Sequence, residues 1–429
     1  MTTPPSTDLP GVDGMSPADM HQFATDPPGH LRDLQDRYGD VFRSGPGQIL
    51  VGHPELVQTL LARTNRDASA DIDVLGDFRT PTDAQVAGWM RARRLASGAF
   101  REPGIIAHLG AVDRAVTAQL AAAAGTTFDP MTMAPDLFVH AALPICAPGA
   151  APSIVPAAVA AARTFLDVMD GGFGMPPAER QARRDAAVAA KQALRSATDE
   201  VVAGSATGCP HTVLEVTADL SPAVRSHVLH TVLAAASVVP GAALAWLIHE
   251  LGTRPAEAAA IREEARALPV DLDGHDLATV APYARGFAHE VLRLHPPTWL
   301  TGRGIGEAIE LGGHRLPAQQ FVSFSPYLLH RDPRWWDEPA EFRPRRWTDD
   351  RTPHAPHAFL PFGAGTRVCI ATHLGTAILT LAALRLAADH VVEITEPEQV
   401  TARFGVPLQP VNLRVTLSGR STRRARGCG

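Results

Sequence analysis

The stretch FLPFGAGTRVCIATHLG, Phe359 to Gly375, sets one cysteine between a glycine-punctuated turn and a run able to start a helix. Phe362, Gly363, Gly365, Arg367 and Cys369 spell F-G-x-G-x-R-x-C. The glycines allow a tight turn and let the backbone approach something flat and bulky. Downstream, IATHLGTAILTLAALRLAADH has the make-up of a helix whose N-terminal end lies at the cysteine. Partial positive charge and unpaired amide groups there favour a thiolate. A thiolate so placed is a nucleophile or a metal ligand. A nucleophile needs a base, for which His373 at i+4 is the local candidate. A third reading is a small buried residue at a helix start.

Disulfide and zinc chemistry do not compete for Cys369. The four cysteines, Cys146, Cys209, Cys369 and Cys428, are scattered and form no CxxC, which suits a reducing, cytoplasmic setting. A net charge of -6 argues against nucleic-acid binding, which needs a positive footprint. At 429 residues, 45% of them hydrophobic, the chain can bury a sizeable core. The opening MTTPPSTDLPGVDGM lacks a basic region followed by an apolar run and reads as a partly disordered lead-in over residues 1–20. Residues 419–429 form a basic C-terminal tail.

One apolar run, Thr231 to Ile248, is almost long enough to cross a bilayer. Alanine and glycine dominate it, Pro240 and Gly241 interrupt it, and His230 and His249 bracket it. It therefore reads as a buried core helix, and no membrane association is expected.

Elsewhere the pattern is helical with short interruptions. PELVQTLLAR, AVDRAVTAQLAAAA, AERQARRDAAVAAKQALRSATDEVVA, RPAEAAAIREEARAL and ATVAPYARGFAHEVLRL carry helix-period apolar positions. Strand-like pieces are few: DVFRSG, QILVG, EAIELGGHRL, QQFVSFS and NLRVTLSG. Proline clusters near Pro130, Pro176 and Pro353 read as loops inside one large domain covering residues 21–418. The fold class expected is mainly α with small β-sheets.

Taken together, these motifs resemble the cytochrome P450 family, whose axial iron ligand is a cysteine thiolate. HEVLRLHPP contains Glu290-x-x-Arg293, followed in order by TWLTGR, ELGGHRLP, HRDPRWWDEPAEFRPRRW and the cysteine loop. The resemblance is dense from about Arg285 to Leu386. It implies the family's fold, haem b (iron-protoporphyrin IX) ligated by Cys369, and a structural network of Glu290, Arg293 and Arg346. Trp89, Arg93, Arg303 and Arg367 match positions that serve the haem propionates, anions that need cationic or N–H partners. The implied activity is monooxygenation of a small hydrophobic metabolite, of terpenoid or polyketide class. The substrate pocket is expected from Ala68 to Gln85, Phe173 to Pro177, Ala234 to Val239, Trp299 to Thr301 and Phe404 to Val406.

No flavin, iron–sulfur or dinucleotide motif is present, GAGTRV lacking the third glycine of a Rossmann turn. Electrons are expected from a separate ferredoxin and ferredoxin reductase, with Arg91 and Arg94 as candidate contacts. A cytoplasmic monomer is the expected state.

One departure matters. The family's distal acid and alcohol fall, on aligning Trp246 with the residue that often follows them, on Val238 and Val239, with Ser237 before and Pro240 after. Valine relays no proton, and Pro240 removes a backbone donor while freeing a carbonyl one turn back. Ordered water or a substrate hydroxyl then supplies protons, or Ser237 does after a register shift of one or two residues. Alternatively the chemistry is non-standard, as in a peroxygenase, isomerase or cyclase. A non-catalytic haem-fold binding protein is the remaining class.

Overall fold

Proline and side-chain caps punctuate this chain more than sequence patterning suggests. In the computed structural model, which describes residues 9–63, 68–69, 82–170, 175–204, 209–349 and 351–420, prolines expected in loops open helices instead. Pro130 is the first residue of the helix Pro130–Cys146, capped by the Asp129 carboxylate, which accepts from Met131 N at 2.8 Å. Pro177 likewise starts the helix Pro177–Gly204. A proline at the first helical position lacks an N–H that would be unpaired anyway, and its fixed φ is already helical. The expected helix at residues 278–294 is cut at Ala281–Pro282 into Leu277–Val280 and Pro282–Leu294. Glu264 caps the second piece by accepting from Tyr283 N at 2.8 Å and Ala284 N at 2.7 Å.

The chain forms two compact units, neither of them a continuous stretch. The first comprises Met1–Pro81, Leu292–Arg343 and Asp349–Cys369. Its centre is a five-stranded sheet in the spatial order Val41–Gly45, Gln48–Val51, Phe321–Phe324, Thr301–Ile305, Ala68–Ser69. Gln48–Val51 runs parallel to Phe321–Phe324, and the other pairings are antiparallel. Alternating apolar residues such as Ile49, Val51, Val322 and Phe324 pack with Val57, Leu60 and Leu360 into one core. The expected piece EAIELGGHRL is a hairpin, Ile309–Leu311 against His314–Leu316, turned by Gly312 and Gly313 at φ 59° and 80°.

The second unit comprises Thr82–Val291, Pro344–Thr348 and Ile370–Gly429 and holds most of the helices. Thr372–Asp389 is buried along most of its length, and its Arg385 meets Asp113 of the helix Leu109–Ala123 at 2.7 and 2.5 Å. A three-stranded sheet, Thr127–Phe128, Arg414–Gly419, His390–Thr395, and the hairpin Thr401–Phe404 with Leu408–Val411 complete it. The mainly α architecture with small sheets is as expected.

The long apolar run is two helices, Pro222–Ala235 and Val238–Thr253. Pro222–Thr253 is the one stretch among the described residues long and apolar enough to cross a membrane, and 61% of its most apolar window is buried within the fold. Residues 1–8 of the expected lead-in, 421–429 of the basic tail with Cys428, most of Ala68 to Gln85, and 171–174 lie outside the described residues.

Candidate functional site

In the first unit, Cys369 ends a loop held by its own backbone. Leu360 O accepts from Gly363 N at 3.1 Å, and Phe362 O accepts from Cys369 N at 2.9 Å. Gly365 to Arg367 form a short 3₁₀ turn, and Val368 N donates to Gly365 O at 3.2 Å. Both glycines take positive φ, 67° at Gly363 and 70° at Gly365. At Gly365 a Cβ would sit 2.4 Å from Leu61 O, so only glycine lets the loop lie on the end of Pro54–Ala62. At Gly363 a Cβ would meet nothing within 4 Å, which leaves a face of bare backbone that a flat group can approach. Cys369 is exposed, and the helix that follows begins only at Thr372. The i+4 spacing from Cys369 to His373 is therefore not one turn of a helix.

Arg303 lies in the strand Thr301–Ile305 of the same unit, opposite Val322, and is 7% exposed. Burial and, secondarily, the charge of Arg367 push its guanidinium down to about 10. A buried guanidinium with a second cation near it suits an anionic partner, whose arrival would reverse that shift. A soft sulfur ligand, an open glycine face and two guanidiniums fit a haem, a flat macrocycle carrying two carboxylates.

In the second unit, Trp89 and Arg93 stand one turn apart on the helix Asp83–Ala96, with the guanidinium 5.7 Å from the indole centre. Both are half-buried, while Arg91 and Arg94 of the same helix are exposed. Glu290 is fully buried and accepts from Arg346 Nε at 3.0 Å and from Trp347 Nε1 at 2.8 Å. Gly286, one turn before Glu290, lets the backbone of Pro344 come close, since a Cβ there would lie 2.7 Å from Pro344 O.

Arg293 belongs to the first unit and is fully buried. It donates to the carbonyls of His330, Pro339 and Glu341 at 2.9, 2.6 and 2.8 Å, pinning an irregular segment that has no ladder of its own. Sequence reasoning missed two residues here. Trp347 follows Arg346 directly in RPRRW, and His330 opens the quoted HRDPRWW, yet neither pattern reveals its partner.

The distal segment differs from a continuous helix. Pro222–Ala235 ends at Ala236, and Val238–Thr253 starts after Ser237, whose φ of -116° and ψ of -95° are not helical. Pro240 has no N–H for the Ala236 carbonyl, and Gly241 N donates to Ser237 O at 2.9 Å. The Ser237 hydroxyl is buried and donates to Ala234 O at 2.6 Å, so it serves the break itself. Val238 is buried and Val239 half-buried. Gly241 then fits against Pro135 inside Pro130–Cys146, where a Cβ would lie 2.9 Å from the proline nitrogen.

Residues 214–416 match the family model Cytochrome P450. Cyclooctatin synthase of Streptomyces melanosporofaciens is 39% identical over 163 residues, 37% of this chain and 35% of that protein. Cyclooctat-9-en-7-ol 5-monooxygenase of the same organism is 36% identical over 146 residues, 33% of this chain and 31% of that one. The matched stretches cover 42% or less of the length of the curated relatives. Among solved structures, retinoic acid bound cyanobacterial CYP120A1 matches with a TM-score of 0.79 at 19% identity, over 97% of this chain and 100% of that one. That likeness extends the fold across the stretches the sequence matches leave out. The stretch that matches the cytochrome P450 model takes in the cysteine loop, and the fold is that of solved cytochrome P450 structures over nearly the whole length.

Proposed function

We propose that the chain is a haem-thiolate monooxygenase acting on a small hydrophobic metabolite of terpenoid or polyketide class. The observation that carries this reading is the Cys369 loop, a backbone-braced turn with an open glycine face beside a cysteine. Two relatives bear names of enzymes of cyclooctatin chemistry, one of them a monooxygenase, which supports the reaction type and the terpenoid class. Haem b, when bound, supplies dioxygen activation for insertion into a C–H bond or a double bond. Cys369 is the metal ligand, and Phe362, Gly363 and Gly365 shape the loop around it. Trp89, Arg93, Arg303 and Arg367 are the propionate partners, and Glu290, Arg293 and Arg346 form the structural network.

Electrons come from a separate ferredoxin and its reductase, with Arg91 and Arg94 as contacts. The protein works as a cytoplasmic monomer, without nucleic acid or membrane, on a domain spanning residues 21–418. Cys369→Ala should abolish the long-wavelength band of the reduced carbon monoxide complex, while Cys146→Ala, Cys209→Ala and Cys428→Ala keep it. A histidine-type spectrum in the parent protein would sink the assignment.

A second reading is favoured by the distal break. Val238, Val239 and Pro240 offer no protic side chain, and the Ser237 hydroxyl is committed to Ala234 O. Under monooxygenation, protons come from water or substrate, and product requires ferredoxin and a reduced nicotinamide donor. Val238→Asp with Val239→Thr should then raise the coupling of electrons to product. Under isomerase or cyclase chemistry, product forms with no net electron input, and the same changes leave an unpaired polar group at the buried position 238, at a cost of about 1–3 kcal/mol. Faster turnover with peroxide than with ferredoxin would select a peroxygenase. Binding without any turnover would leave a haem-fold binding protein. A substrate screen by shift of the haem band, then product analysis with and without reductant, separates these outcomes.

A further inference from the structure

His330 lies wholly inside the first unit, at the C-terminal end of the short helix Pro326–Leu329, with no exposed surface. Its Nδ1 is 3.0 Å from the carbonyl oxygen of Arg293, and Leu360 N donates to its Nε2 at 2.8 Å. A carbonyl only accepts and an amide N–H only donates. The ring is therefore neutral and carries its hydrogen on Nδ1. Arg293 returns the bond, Nη1 donating to the His330 carbonyl at 2.9 Å, so residues 293 and 330 are tied twice.

From Leu360 the chain of bonds runs on to the cysteine. Leu360 O takes Gly363 N–H, and Phe362 O takes Cys369 N–H. Trp336 and Phe359 pack against the imidazole at 6.0 and 5.4 Å between ring centres. Desolvation holds the ring well below the ordinary histidine range, with Arg293, Arg331 and His354 disfavouring its charge while the Arg293 carbonyl works the other way.

The geometry points to His330 as a positioning residue for Cys369, its neutral imidazole fixing where the loop starts by bridging the Arg293 carbonyl to the Leu360 amide. The ring touches neither the sulfur nor the glycine face. Its effect passes through two backbone turns.

Three measurements on the full haem-loaded chain test this. The ¹⁵N spectrum of the wild-type imidazole should show the Nδ1–H tautomer. The opposite tautomer, or a ring protonated at neutral pH, overturns the proposal. In His330→Phe, amide exchange at Leu360 and Gly363 should rise by about tenfold or more, while Leu381 in the buried helix Thr372–Asp389 keeps its protection. In the same variant the reduced carbon monoxide complex should shift in part from the thiolate band to the protonated-thiol band. His330→Gln, which keeps one donor and one acceptor, should restore most of both signals. Unchanged exchange and an unchanged band in His330→Phe refute the role, as does equal damage in the Phe and Gln variants. Should His330→Phe fail to fold, the tautomer and the exchange rates of His330→Gln against wild type decide. The band shift alone rests on the haem-thiolate reading. A wild type without a thiolate band defeats that reading, while the tautomer and exchange results still judge the clamp.

Discussion

Glu290 illustrates how a common sequence spacing hides a demanding environment. On sequence it is one of many Glu-x-x-Arg pairs, whose usual fate is a solvated helix face. In the structure it has no exposed surface, and its two carboxylate oxygens are taken by Arg346 and Trp347, 56 and 57 residues away. Glu290→Ala should cost about 3–5 kcal/mol, because Arg346 would keep a buried charge without this partner. A denaturant titration of the variant with an unchanged midpoint would show the site to be solvated. The pairing with Arg346 was legible only through family resemblance, since nothing local connects residues that far apart. Arg293 was legible as a structural arginine, but not its use, because the three carbonyls it meets carry no side-chain signature. Cys369 and its glycines were readable because positive φ and close approach leave a mark on residue type.

Helix-period patterning recovered the long amphipathic helices, and it failed where elements are apolar all round or only two to four residues long. The strands Ala68–Ser69, Thr127–Phe128 and Leu408–Val411 are too brief to alternate visibly. The break between Pro222–Ala235 and Val238–Thr253 was partly legible, since Pro240 announces a lost donor, but the non-helical Ser237 was not. The proline clusters misled because proline at the first helical position and proline in a loop look alike in one sequence. Gly241 shows what the break accommodates. Gly241→Ala should force a Cβ against the Pro135 backbone and lower stability by about 1–3 kcal/mol despite alanine's better helix propensity. Thermal unfolding reads this directly, and a stabilised variant would mean that the two helices have slack between them.

At the scale of the whole molecule, buried histidines set the acid limit. His330 in the first unit is held well below the ordinary histidine range by burial. In the second unit burial, with Arg285 beside it, takes His289 down to about 3, and burial with His227 takes His230 down to about 4. Each folded value lies below that of the unfolded chain, so the unfolded state binds the extra proton. The stabilisation is complete above about pH 6.5 and shrinks by roughly 1.4 kcal/mol per pH unit per histidine as pH falls toward the folded values. Denaturation midpoints should thus drop between pH 7 and 5, above the ordinary carboxylate range, and a flat profile there would contradict the burial of these rings. The five-stranded sheet has a different consequence, one of timing. Gln48–Val51 leaves the ribosome with its parallel partner Phe321–Phe324 still roughly 270 residues away, about 14–54 s at ordinary synthesis rates. Until then the N-terminal hairpin is an unfinished sheet with an open edge, and nascent chains should lean on chaperones longest over that interval.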